Sequence, residues 1–199
     1  MLSVIIQHEE NDILDKQYQA IHSKKFRNTK ENADLDNEVG KEYLERAKEG
    51  GIEQNKNNKL AAKNLIDSAE KYAKANVIID NKENIAYSNP NRNNKKEGVL
   101  HTHSFQVLSQ APSNSEILLQ EDASFLDKYA NPEEEVYSTH TALSYGDAQP
   151  TLAELEKINN ITNKLKENLE ERENKINDRY NTNKLADTVI QFISFGNSF

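Results

Sequence analysis

From Thr151 onward, apolar residues return at three- and four-residue steps: Leu152, Leu155, Ile158, Ile161, Leu165, Leu169, Ile176 and Tyr180, set among Lys, Glu and Asn. That period predicts one long helix with a narrow apolar stripe. Thr151 with Glu154 three residues on forms a capping box and marks its start. In places the spacing approaches seven residues, so the helix is expected to pack on the core early and continue as an exposed helix or a self-associating coil. The tail, Leu185 to Phe199, turns apolar again at Val189, Ile190, Phe192, Ile193 and Phe195. It is expected to dock on its own core, a twin chain or a partner.

A second helical stripe runs from Asn58 to Asn76 through Ala62, Leu65, Ile66, Ala69, Tyr72 and Ala73. The period then changes. Val77-Ile78-Ile79 and Ile85-Ala86-Tyr87 are β-prone and separated by the polar Asp80 to Asn84, which predicts a hairpin. Asn89 to Glu97 reads as a loop, Val99 to Phe105 as a strand, Ser113 to Tyr129 as a helix, and Val136 to Tyr145 as a further strand holding His140. Over residues 1 to about 57, Ile5, Ile6, Ile13, Leu14 and Tyr18 suit a short helix, and from His22 to Glu53 apolar positions are sparse and the one helix-like piece spans about Lys41 to Lys48. The expected fold is α+β: a small central sheet flanked by helices, a flexible N-terminal third and a long C-terminal helix. The expected divisions are a weakly ordered extension over 1–57, a core over 58–150, and a helix with apolar tail over 151–199.

Composition narrows the function classes. The chain has 199 residues, of which 35% are apolar, and a net charge of −8. The charge argues against nonspecific nucleic-acid binding, which needs clustered Lys and Arg to release counterions. With no Cys, disulfides and thiolate metal sites are excluded. No apolar run approaches the ~18 residues of a membrane span. Met1 to Ile6 is short and followed by Glu9, Glu10 and Asp12, unlike a secretory signal. A cytoplasmic location is the default, and leaderless export by a dedicated machine would look the same.

The candidate chemistry lies in Gly98-Val99-Leu100-His101-Thr102-His103-Ser104, followed by Pro112-Ser113-Asn114-Ser115-Glu116. Alternate residues of a strand share a face, so His101 and His103 would project side by side. Ser113 and Glu116 have capping-box spacing, and the same helix start would supply a carboxylate as third ligand. Two His and one carboxylate with an open position is a common catalytic zinc arrangement. The plainer readings are a strand whose imidazoles face solvent or pair with local acids, and an ordinary helix cap. A set of His101, His103 and His140 is a further metal-site alternative.

The element order and these residues resemble the core of the JAMM (MPN+) metalloproteases, over roughly Ala61 to Tyr145. The resemblance implies a zinc-dependent peptide or isopeptide hydrolase, or an inactive relative. It implies zinc on His101, His103 and Glu116, Ser113 binding the oxyanion, and an upstream acid as general base, with Glu70 or Glu83 as candidates. Glu116 stands where that family has Asp, and Ser104 where a Pro usually follows. His-x-His-Ser also resembles the opening motif of the PHP phosphoesterases, which need further His and Asp clusters; after His103 only His140 remains. The rival expectation is a non-catalytic interaction protein that binds a protein partner, or itself, through the C-terminal helix and tail.

Overall fold

Helix α3 (Gln54–Ile79) is the axis of the molecule in this computed structural model, which describes the backbone of residues 2–130 and 149–196 and the side chains of 9–130 and 149–186. The predicted strand Val136 to Tyr145, with His140, lies outside the described residues. Buried positions occur all round α3, among them Ala61, Ala62, Leu65, Ala69, Tyr72, Ala73, Ala75 and Ile79. A helix apolar on every side is a core helix, and its alanines let neighbours approach closely. Val77, Ile78 and Ile79, expected as a strand, form its last turn. All three are buried there, and that burial overrides their β propensity.

Two helices precede α3, α1 (Leu2–Ile21) and α2 (Lys24–Glu49), both much longer than the short pieces that the sequence pattern offers there. The buried positions of α2 are Phe26, Ala33, Asn37, Gly40, Leu44 and Ala47. They recur at alternating steps of three and four after Phe26, as in a coiled-coil seam. Only Phe26 and Leu44 are large and apolar, so the seam is nearly silent in composition. Ser23 caps α2 by accepting from the Phe26 N–H at 3.1 Å. Gly50, at φ 74°, ends the helix in a conformation that L side chains rarely adopt.

After α3 the chain forms an antiparallel hairpin, β1 (Ala86–Asn89) with β2 (Lys95–Gly98), in the register Ala86 to Gly98 and Asn89 to Lys95. The Pro90–Arg92 3-10 turn joins them, with Asn93 and Asn94 left-handed at φ 48° and 58°. Asparagine tolerates that region better than most residues. Short helices α4 (Phe105–Leu108) and α5 (Gln120–Ala130) follow. The long helix α6 (Leu152–Gly196) starts where the sequence predicts. Thr151 Oγ1 accepts from the Glu154 N–H at 3.2 Å while Glu154 accepts from the Thr151 N–H at 2.9 Å. The protein is α+β, helix-dominated, and its described sheet is a partly exposed hairpin against α4. Among the described residues no helix is long and apolar enough to cross a membrane.

Candidate functional site

The His-Thr-His segment is not a strand. The N–H groups of His101 and Thr102 both donate to the Gly98 carbonyl, at 2.9 and 3.0 Å, so the chain coils back after β2. The strand alternation expected to align the two imidazoles is therefore absent. His101 is exposed, with its Cδ2 3.4 Å from where a Cβ on Gly98 would sit. Thr102, buried, donates to Glu97 at 2.7 Å and accepts from the Ser104 N–H at 3.0 Å.

His103 does meet one predicted partner. Its Nδ1 lies 3.0 Å from Glu70 Oε2, and Lys74 donates to the other Glu70 oxygen at 2.7 Å. Burial pushes the Glu70 carboxyl up, but the His103 bond and the Lys74 charge outweigh it and hold it below its ordinary value. An ionised acceptor fixes the proton on Nδ1. Glu70 is thus an orienting partner for a half-exposed histidine.

The remaining predicted residues lie apart from this pair. Residues 112–117 are consecutive turns, and α5 starts at Gln120, later than Ser113. Ser113 caps nothing; its buried Oγ has no hydrogen-bond partner, and Glu116 is exposed. What holds this stretch is Asn114, fully buried, whose Nδ2 donates to the carbonyls of Ala73 and Leu108, each at 3.1 Å. No group of three or more His, Cys, Asp or Glu able to hold a metal occurs among the described residues. His101, His103 and Glu116 are not brought together as a donor set there.

A buried acid that the sequence does not flag organises the neighbourhood. Asp127, on α5, accepts from the Phe105 N–H at 2.6 Å, the Gln106 N–H at 3.2 Å, Ser104 Oγ at 2.9 Å and Asn91 Nδ2 at 3.1 Å. It caps α4 from a distant helix and ties the hairpin turn to both. Burial pushes its carboxyl up to about 6 against those four donors. All four of these donors are structural, three on Oδ2 and one on Oδ1, so the role is a latch.

The far end of α6 has a different character. Thr162 Oγ1 donates to the Leu65 carbonyl at 3.1 Å, and Arg172 Nη1 to the Asn76 carbonyl at 3.2 Å. These contacts put α6 parallel to α3 in a nearly constant register. Continued, that register sets Ile176, the last buried residue of α6 among those described, beside Ile79 at the end of α3. α2 reaches its own start nearby, with Lys30 paired to Glu173 at 2.6 Å. Past that level α1 accompanies α6 antiparallel: Tyr18 stacks on Tyr180, and Asn183 donates to Asn11 at 3.1 Å. Between them opens a cleft of about 560 Å³ lined by Ile13, Leu14, Arg179, Thr182 and Asn183, among others. Ile13 is 56% exposed and Leu185 67%. Leu185 belongs to the apolar tail noted in the sequence, and Ile13 to the short N-terminal helix expected there. Compared with known proteins, the chain matches no family model, no curated protein and no solved structure.

Proposed function

We propose that the protein is a non-catalytic interaction module whose working surface is the end of α6 with the α1 face beside it. The observation that carries this reading is the overhang. α6 continues as helix to Gly196, about 30 Å beyond Ile176 at 1.5 Å per residue. No residue from Asn177 to Ala186 is buried. The sequence that follows, with Val189, Ile190, Phe192, Ile193 and Phe195, is too apolar for a helix that ends in water. An amphipathic helix end is a familiar recognition element for other proteins.

A photo-crosslinking side chain at position 185 of the full chain tests the reading, with position 35 as control because Leu35 is equally exposed on another helix. Crosslinks to protein are expected from 185 and not from 35. Equal labelling from both, or none from 185, overturns it. For the zinc-hydrolase reading, the Glu70–His103 contact is the one favourable observation, and it lacks the remaining donors.

A further inference from the structure

We infer that the overhang's partner is a second copy of this chain, the α1–α6 ends of two copies closing into a four-helix bundle. The inference rests on reading the overhang as an interaction surface. Two adjacent helices form a single layer, and a layer with an apolar face needs another layer against it. Over the inner part of the molecule α3 and α2 supply that layer to α6. Beyond Ile79 they stop, and among the described residues only α1 accompanies α6.

Ile13 and Leu185, the exposed large apolar residues of this end among those described, lie on the faces that border the cleft. Glu10, Ile13, Leu14 and Gln17 line it from α1 at helical steps of three and four, and Thr182 lines it from α6. Leu185 follows Thr182 by three residues, which places it on the same helical face. In sequence the α6 series continues through Val189, Phe192 and Ile193, and the α1 series runs back from Ile13 through Ile6 to Leu2. The antiparallel course set by Tyr18 with Tyr180 and Asn11 with Asn183 sends both series toward one end of the molecule.

A second copy suits that surface in shape and charge. Two antiparallel helix pairs related by a two-fold axis make a four-helix bundle, in which one face is repeated on both partners. An overhang about 30 Å long and two helices (~20 Å) wide offers on the order of 600 Å². A stable interface buries about 800 Å² per partner, so the overhang supplies most of one. Glu10, Asp178 and Arg179 all line the cleft. A two-fold copy can set opposite charges against each other, whereas an anionic surface would meet the acids.

Sedimentation of the full chain from about 1 to 100 μM reads the outcome directly. The expected species has twice the 22.7 kDa chain mass. The pair Ile13→Glu and Leu185→Glu, at exposed sites, is expected to weaken it at least a hundredfold with unchanged helix content, while Leu35→Glu leaves it intact. A monomer throughout, a larger assembly, or a dimer insensitive to the pair overturns the inference. Should the pair variant misfold, Leu185→Cys carries a unique spin label, because the chain has no cysteine. Two labels within about 40 Å across the dimer, of the order of its helix lengths, support the bundle; no measurable label pair overturns it. A monomeric chain that still crosslinks to another protein from position 185 leaves the interaction reading standing and removes the second copy.

Discussion

Tyr18 and Tyr180 stack face to face, their ring centroids 3.6 Å apart and their planes 7° from parallel. They are the joint between α1 and α6 just past the point where α3 ends, and His22 packs edge-on against Tyr18 at 4.4 Å. Aromatic pairs contribute about 0.5–1.5 kcal/mol beyond their buried area. Tyr18→Ala and Tyr180→Ala should therefore each lower stability, and their double variant should fall short of additivity by about 1 kcal/mol in urea melts. Strict additivity would mean that the two rings do not hold the helices together.

A second prediction concerns how closely α2 approaches α3. A Cβ at Gly40 would lie 2.8 Å from Leu65 Cγ and 3.0 Å from the Leu65 backbone nitrogen. The side chain can turn aside, but the backbone cannot without shifting a helix. Gly40→Ala should destabilise by about 1–3 kcal/mol despite its better helix propensity. Leu65→Ala should cost less in that background than alone, since it relieves part of the clash. A neutral or stabilising Gly40→Ala in thermal melts would contradict the packing.

Gly40 also shows why part of the fold was legible in the sequence and part was not. The stripes of α3 and α6 are written in Leu, Ile, Tyr and Ala at helical steps, and the Thr151–Glu154 box marks one boundary. The α2 seam uses Ala33, Asn37, Gly40 and Ala47, whose fit depends on a facing helix and not on their own hydrophobicity. The strand expected through the two histidines differs from the structure for a related reason. His-x-His implies a shared face only on a strand, and two bonds onto the Gly98 carbonyl make a turn instead. The contact between Glu70 and His103 joins residues far apart in the chain, so no local pattern encodes it, although each is a candidate by itself. Asp127 has no local signature at all, because its four donors come from elsewhere in the fold.

Asp127→Ala should leave buried donors on Ser104, Phe105, Gln106 and Asn91 without an acceptor. At about 1–3 kcal/mol for each unsatisfied buried group, partly relieved by water, a total loss on the order of 3 kcal/mol is expected. Faster hydrogen exchange at the Phe105 and Gln106 amides should accompany it. Unchanged exchange there would show that Asp127 is not the cap of α4.

Two carboxyls give the stability curve opposite slopes. Asp127 is pushed up to about 6 from 3.8, so its contribution is fully present below pH 3.8 and lost as pH rises through 6. Glu154 is drawn down to about 2 from 4.5 by the Thr151 N–H, Tyr129 and Lys128, so its contribution is present above pH 4.5 and lost as pH falls toward 2. In melts across pH 2–7, Asp127→Asn should flatten the decline between pH 4 and 6, and Glu154→Gln should flatten the loss below pH 4.5. Glu154→Gln should also cost about 1 kcal/mol at neutral pH through the weakened cap. Identical pH profiles for wild type and both variants would contradict the assignments.

Zinc content separates the two expectations drawn from the sequence. With His101 on an exposed turn and Glu116 exposed elsewhere, only His103, held through Nδ1 by Glu70 with Nε2 free, has the setting of a zinc ligand, and the other donors, about 2.0–2.2 Å from the metal in such sites, are not assembled beside it among the described residues. Untagged protein should carry well under one zinc per chain and melt at the same temperature with and without chelator. His101→Ala with His103→Ala should leave that pattern unchanged apart from a small loss from the Glu70 contact, on the order of 1 kcal/mol. Stoichiometric zinc that disappears in the double variant would instead mean that the loop rearranges around metal, and would restore the hydrolase reading in place of the interaction one.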